Sequence, residues 1–169
     1  MRALASDIRF MAGLVLKTLS NYDRKMDSQD ALMLILRTGA VESGFRHLRQ
    51  IGGPALGFFQ MEPDTALDLV VNFLNSRSVL TTLIDVVAGG SSWRGDLDYH
   101  LASNIALQIA LCRLKYWRVS AAIPAADDLN GQAKYWKEHY NTAAGKGTPA
   151  QFVAAAQQAG LDTYLWQQK

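Results

Sequence analysis

The chain has 169 residues and a net charge of +2, with 49% apolar and 19% charged residues. This size and composition are typical of one globular domain and exclude a disordered chain. The near-neutral charge and the motifs give no support for nucleic-acid binding. The single cysteine, Cys112, excludes an intrachain disulfide and is predicted to be buried. The three histidines lack metal-ligand spacing, so we predict no metal and no cofactor.

The N-terminal segment contains a short apolar run at residues 10–16, between Arg9 and Lys17. This run is too short to span a bilayer and has no convincing small-residue cleavage site. We therefore predict an amphipathic helix over residues 4–19, with an uncleaved export, virion or transient membrane contact as the alternative. Within a single domain of residues 1–169, residues 1–26 form a helical extension of a core at about 27–160.

The next helix is predicted to be central and buried. Asp27 or Ser28 can cap its start, and residues 31–36 are continuously apolar. Gly44 stops helices, so this helix should end near Glu42. Residues 44–60 are rich in glycine, and residues 58–61 are the one place where a short extended piece is expected.

The rest of the chain also predicts helices. The expected elements, in order, are a helix from Pro63 through Leu74, one at about 77–87, a loop at 89–92, a long helix at 99–118, a helix from Asp127 or Asp128 to about Tyr140, and a last helix with Thr148, Pro149 and Gln151 at its start and Gly160 at its end. These elements predict a mainly α fold, a helical bundle around the buried helix with a very small β element.

Glu42 is the candidate that carries chemistry. A carboxyl group at the end of a buried helix has a raised pKa, because burial disfavours its charged form. Cleavage of a glycosidic bond near neutral pH needs such a protonated acid. The pattern alone leaves Glu42 as one of several helix-end acids.

Three stretches resemble the catalytic domain of the soluble lytic transglycosylases, in the lysozyme-like superfamily. They are Glu42-Ser43-Gly44-Phe45, Ala55-Leu56-Gly57-Phe58-Phe59-Gln60 and Pro63-Asp64-Thr65-Ala66. Weaker similarities follow in family order at Asn104-Ile105 with Tyr116, and at Tyr140-Asn141 with Gly145. Together they run from about residue 28 to 153, and the residues within the motifs resemble those of the bacteriophage branch.

The resemblance implies an α+β lysozyme-like fold with a substrate cleft for a peptidoglycan glycan strand. Glu42 would be the single catalytic acid and then base, for the MurNAc–GlcNAc β-1,4 bond. The other implied site residues are Ser43 at the helix end, Gln60 and Gly57 in the substrate-binding block, Phe59 as an apolar wall beside Glu42, Tyr140 facing Glu42 across the cleft, and Asn141 holding the turn. Alternatives from the residues themselves are core packing for Phe58, Phe59 and Tyr140, and a helix-end hydrogen bond for Ser43.

Two departures from the family pattern leave the reaction outcome open. Ile51 stands where the family usually has serine, and Pro54-Ala55 stands where it usually has Gly-Ala. An isoleucine cannot hydrogen-bond the acetamido group or the cyclising oxygen of the substrate. The role of the serine is therefore in doubt here.

A lyase needs one carboxyl group, whereas a hydrolase usually needs a second. The candidates for the second are Glu62, Asp64, Asp96 and Asp98, each better explained as a helix-start or loop residue. The sequence therefore favours a lytic transglycosylase that forms 1,6-anhydro-MurNAc over a hydrolytic muramidase.

The remaining alternative is a non-catalytic peptidoglycan-binding virion protein, in which aromatic side chains stack on sugars. The candidates are Trp93, Trp117, Trp136 and Trp166, although core or interface packing suits most of them. No obligate protein partner is expected. The implied place of action is the bacterial cell wall in the periplasm, reached from a virion or by release from the host cytoplasm.

Overall fold

The computed structural model describes residues 2–142 and 145–163, with side chains from residue 6 onward. These residues are mainly helical, which confirms the predicted mainly α class. The helices are α1 (Arg2–Leu19), α2 (Gln29–Glu42), α3 (Pro63–Asp68), α4 (Ser78–Ala88), α5 (Leu97–Ser103), α6 (Ile105–Trp117), α7 (Leu129–Trp136) and α8 (Pro149–Ala159). Short 3-10 turns at Arg24–Met26 and Ser92–Arg94 precede α2 and α5.

Helix α2 lies in the centre of the core, as predicted. The Ser28 hydroxyl accepts a hydrogen bond from the Ala31 amide at 3.1 Å and so caps the first turn. Every residue from 31 to 40 is buried, including the polar Arg37 and Thr38. The Arg37 guanidinium donates to the Leu161 and Ala126 carbonyls and to Gln132, which satisfies most of its buried donors. Burial on all sides fixes the position of the residue that ends α2, Glu42.

Helix α1 is amphipathic, as predicted for residues 4–19. Its inner face packs against α2, α4 and α6 and belongs to the same buried cluster as those helices. Its outer face leaves Phe10 70% and Leu14 56% exposed, one turn apart. In the part of the chain that the structure describes, no helix is both long and apolar enough to cross a membrane.

The very small β element lies in the glycine-rich stretch, as predicted, but consists of isolated bridges. Leu56 forms isolated antiparallel bridges with Arg49 and Met61, and no longer strand occurs among the described residues. The expected extended piece at 58–61 is wrong, because residues 57–60 form a tight turn. Gly57 and Gln60 both have a positive φ, and the Gln60 side chain donates to the Gly57 carbonyl at 2.7 Å.

The single long helix expected at 99–118 is also wrong, because Asn104 divides it. Asn104 has an extended backbone between α5 and α6 (φ −103°, ψ 94°). Its side chain accepts from the Leu107 amide at 3.0 Å and donates to the Ala88 carbonyl at 2.9 Å. Asparagine is a favoured N-cap residue, and the bond to Ala88 ties the start of α6 to the end of α4.

The other predicted helices are confirmed, with two extensions of π geometry. Helix α3 continues as a π-helical segment at Leu69–Leu74, and α7 continues as another at Lys137–Asn141. Asp128 caps α7. Helix α8 begins with the predicted capping box between Thr148 and Gln151 and ends at Gly160. The end of α7 and the start of α8 are thereby brought beside the end of α2.

Candidate active site

Glu42 is the last residue of α2 and lines a cavity of about 940 Å³. Elements distant in the sequence surround this cavity. They are the end of α2, the loop from Gln50 to Glu62, helix α6 at Lys115, the end of α7 with its π-helical segment, and the start of α8 at Gln151. The cavity therefore forms only when the core of the protein has assembled.

The carboxyl group of Glu42 is held by a hydrogen bond from a neighbouring helix. The indole Nε1–H of Trp136 donates to Glu42 Oε1 at 2.9 Å. Burial raises the pKa of Glu42 from its ordinary value of 4.5 to about 7, although the Trp136 bond and the positive charge of Lys115 lower it. Near neutral pH this carboxyl group can therefore hold a proton and also give it up, as a general acid–base requires.

Lys115 lies on α6 and lines the same cavity. Its ammonium donates to the Tyr140 carbonyl at 2.8 Å and lies 3.9 Å from the centroid of the Tyr140 ring. Burial lowers the pKa of Lys115, while the carboxylates of Glu42 and Glu62 act in the opposite direction. The cation is therefore held at Tyr140, where it interacts electrostatically with two acidic side chains of the cavity.

Sequence reasoning missed Lys115 and the role of Trp136. The sequence gives one weak signal for Lys115, which is a charged residue within a mainly apolar helix. Arg113 gives the same signal, yet its guanidinium donates to the Met26 and Lys25 carbonyls, away from Glu42. Trp136 stands 94 positions from Glu42 in the chain, so no local pattern could pair them.

Tyr140 and Asn141 line the same cavity as Glu42. Tyr140 is 4% exposed, and its hydroxyl donates to the Phe59 carbonyl at 2.9 Å. The Asn141 side chain accepts from Lys137, whose ammonium also donates to the Thr142 and Gly145 carbonyls. Asn141 thus helps to hold the turn before α8.

Gln60 lines the cavity, but Ser43 does not. The Ser43 hydroxyl is buried, donates to the Phe58 carbonyl at 2.7 Å and accepts from the Phe45 amide at 3.1 Å. These bonds tie the end of α2 to the following loop. The helix-end alternative therefore describes Ser43 better than a substrate contact does.

Two further site expectations need correction. The Phe59 ring is 1% exposed and packs edge-on against Phe45 with centroids 6.4 Å apart, so it is not an apolar wall of the cavity. Gly57 has a φ of +73°, and a Cβ there would lie 2.5 Å from the Leu101 carbonyl oxygen. Gly57 is required for the turn and its packing on α5, not for the cavity lining. Ile51, 87% exposed, lines the cavity from the loop instead.

Among the four candidate second carboxylates, only Glu62 lines the cavity of Glu42. Asp96 caps α5 by accepting from the Tyr99 amide at 3.1 Å. Asp98 lines a separate cavity, and Asp64 lies in the first turn of α3. Glu62 precedes α3 and makes no capping bond with its side chain.

The three tryptophans that the structure describes do not form an exposed sugar-stacking surface. Trp93 is 0% exposed and donates to Asp85, while Trp136 is 1% exposed and donates to Glu42. Trp117 is half-buried with the Arg113 guanidinium over its ring, and Trp166 lies outside the described residues. Cys112 is buried, as predicted.

Over residues 2–142 and 145–163, no group of three or more His, Cys, Asp or Glu side chains is arranged to hold a metal ion. Comparison with known proteins finds no matching family, no matching curated protein and no matching solved structure. The chemistry of the cavity therefore has to be argued from its own residues.

Proposed function

We propose that this protein cleaves the MurNAc–GlcNAc β-1,4 bond of peptidoglycan, with Glu42 as its acid–base and the cavity as the binding cleft of a lysozyme-like domain. One observation carries the proposal. Glu42 ends a helix whose residues 31–40 are all buried, opens onto a cavity large enough for sugar rings and has a pKa near 7. A single acid that exchanges its proton near neutral pH suits glycosidic bond cleavage.

The proposed reaction is that of a lytic transglycosylase and consumes no water. Protonated Glu42 gives its proton to the bridging oxygen, and the bond from C1 of the muramyl residue to that oxygen breaks. The muramyl 6-hydroxyl oxygen then bonds to C1 and gives its proton to the Glu42 carboxylate. The product is a 1,6-anhydro-muramyl end, and Glu42 returns to its protonated form.

A hydrolytic muramidase is the second candidate, because Glu62 lines the same cavity. In a hydrolase, Glu62 would activate a water molecule or stabilise the sugar cation. Each cut would then add one water molecule to the products. The two reactions therefore differ in the mass of the muropeptides that they release.

The three glutamates of the chain, Glu42, Glu62 and Glu138, give a matched set of variants. Each is changed to glutamine, and the release of soluble muropeptides from purified sacculi is followed by mass spectrometry. Glu42→Gln should slow release about 10²- to 10⁴-fold, the usual contribution of general acid–base catalysis. Glu138→Gln should have no effect, because its carboxyl group is 76% exposed outside the cavity lining.

The Glu62→Gln variant separates the two reactions. A lyase should keep its activity and its anhydro products in this variant, whereas a hydrolase should lose activity. An unchanged rate in Glu42→Gln would refute the acid–base assignment. A wild-type protein that binds sacculi without releasing muropeptides would instead indicate a non-catalytic peptidoglycan-binding protein.

The glycan strand is the proposed partner, and the proposed place of action is the cell wall in the periplasm. Delivery from a phage virion or from the host cytoplasm fits the resemblance of the motifs to the bacteriophage branch. The exposed Phe10 and Leu14 on α1 support a transient virion or membrane contact of that helix. No obligate protein partner and no nucleic acid are part of the proposal.

A further inference from the structure

Lys115 is a charged side chain in a position that packing alone does not explain. It belongs to α6, whose residues from 107 to 114 are all buried. Its ammonium nevertheless reaches the cavity that Glu42 lines. Withdrawing a cation from water is costly unless nearby groups compensate for the lost hydration. The groups that do so here belong to the candidate active site.

The ammonium of Lys115 has a defined location. Its bond to the Tyr140 carbonyl, at 2.8 Å, holds it at the π-helical segment that follows α7. The Tyr140 ring, 3.9 Å away, adds a cation–π contact. Tyr140 is itself anchored through its hydroxyl to the Phe59 carbonyl. The cation therefore cannot leave the cavity without breaking contacts to the core.

The other buried groups near Glu42 are uncharged at neutral pH. Trp136 donates a neutral hydrogen bond from α7. Burial raises the pKa of Cys112, Tyr116 and Tyr140, and the negative charge of Glu42 raises it further, so these three remain protonated. Lys115 is thus the charged group of the described residues that acts on the Glu42 carboxyl.

Two more charged residues line the cavity, Glu62 on the loop and Lys146 before α8. Both are exposed. The negative charge of Glu62 favours the charged form of Lys115. When Glu42 loses its proton, the same ammonium faces a second negative charge.

We propose that Lys115 is a positioning residue, whose anchored ammonium stabilises the Glu42 carboxylate that forms when the proton passes to the leaving oxygen. This inference deepens the proposed function and rests on it for its catalytic meaning. The charge is already in place before the reaction, so no reorganisation is needed when the carboxylate forms. Loss of the charge should make Glu42 a weaker acid.

The titration of Glu42 can be measured without substrate. Protein labelled with ¹³C at its glutamates gives three carboxyl signals, and the Glu42→Gln variant identifies the signal of Glu42. In the wild type this signal should titrate near pH 7. In Lys115→Met the midpoint should move upward by roughly one pH unit, because an opposite charge nearby lowers a carboxyl pKa by about that amount.

Three further variants separate charge from packing. Lys115→Gln keeps an N–H donor for the Tyr140 carbonyl but has no charge, so it should raise the midpoint as Lys115→Met does. Lys115→Arg should keep the wild-type midpoint. Lys134→Met removes the charge of an exposed lysine on α7 and should leave the Glu42 titration unchanged. A lower melting temperature in Lys115→Met alone would indicate lost packing. The Glu42 midpoint in Lys115→Gln would then test the role of the charge.

Catalysis gives the second readout. In Lys115→Met and Lys115→Gln the alkaline limb of kcat/KM should shift to higher pH together with the Glu42 midpoint. The rate at pH 6 should fall roughly threefold to tenfold, because Glu42 is then a weaker acid. An unmoved NMR midpoint in Lys115→Met and Lys115→Gln would overturn the inference, whatever the activity. If the Glu42 midpoint moves but the wild-type protein releases no muropeptides, the electrostatic coupling of Lys115 to Glu42 stands and the proposed function is overturned.

Discussion

The cavity has two unlike walls. The helical wall, formed by Glu42, Lys115, Trp136 and Tyr140, is rigidly packed, with Trp136 1% and Tyr140 4% exposed. The loop wall, formed by residues 50–52, 55, 60 and 62, is mostly exposed, and Ile51 is 87% exposed. Burial shifts the pKa of Glu42 only because its neighbours exclude water. The chemistry is therefore expected to reside in the helical wall and the substrate contacts in the loop wall.

Hydrogen bonds of side chains join the turn at residues 57–60 to the helices, and in one of them Gln108 on α6 accepts from the Phe58 amide at 2.9 Å. The Ser43 hydroxyl donates to the Phe58 carbonyl at 2.7 Å, and the Tyr140 hydroxyl donates to the Phe59 carbonyl at 2.9 Å. Both acceptors belong to the turn at residues 57–60. This turn sets the distance between the walls, so changes within it should have the largest effect on the whole site.

The largest effect on stability is expected from Gly57→Ala. The new Cβ would lie 2.5 Å from the Leu101 carbonyl oxygen and 2.6 Å from Gln108 Cδ, at a φ of +73°. Strain and overpacking together should lower the free energy of unfolding by about 3–4 kcal/mol. Urea denaturation measures this loss.

Gly52→Ala is the matched control for Gly57→Ala. Gly52 has nearly the same φ, +75°, but no atom lies within 4 Å of the position that a Cβ would take there. Only the backbone cost of about 1 kcal/mol should remain. Equal losses in the two variants would show that contact with α5 and α6 does not hold the loop wall.

The second effect is a pH-dependent gain in stability from Glu42→Gln. The native pKa of Glu42, about 7, lies above its ordinary value of 4.5, so the unfolded state gives up this proton at lower pH than the native state. The stability cost is absent below pH 4.5, grows between pH 4.5 and 7, and is complete above that range. Removing the carboxylate should therefore stabilise the protein by about 3 kcal/mol at pH 8.

Urea denaturation at pH 4 and pH 8 checks this difference. The variant and the wild type should be similarly stable at pH 4. Glu138→Gln, an exposed glutamate, controls for the loss of a negative charge. A gain in Glu42→Gln of the same size at both pH values would contradict a titration of Glu42 near pH 7.

The smallest effect on stability is expected from Ile51→Ser. The side chain is 87% exposed, so the free energy of unfolding should change by less than about 0.5 kcal/mol. The new hydroxyl lines the cavity and can bond the substrate, which should raise muropeptide release by about fivefold, the value of one hydrogen bond. Ile51→Ala, which lacks the hydroxyl, should not show this gain. Equal rates of muropeptide release in the two variants would show that the loop wall does not contribute to substrate recognition through residue 51.

The helices and their ends could be predicted from the sequence because their causes are local. The apolar run of residues 31–36, the Ser28 cap and the Thr148–Gln151 capping box all act within a few residues. Asn104 carried the same kind of local signal, and the interpretation of 99–118 as one helix overlooked it. Glu42 at the end of a buried helix was also within reach of the sequence.

Only the tertiary structure decided what surrounds Glu42. Trp136 and Lys115 come from α7 and α6, and Phe59 turns into the core while Ile51 faces the cavity. The sequence alone determined that a carboxyl group ends the central helix. The acidity of that group depends on water exclusion and on charges from distant parts of the chain, because desolvation and Coulomb interactions act through space and not along the backbone.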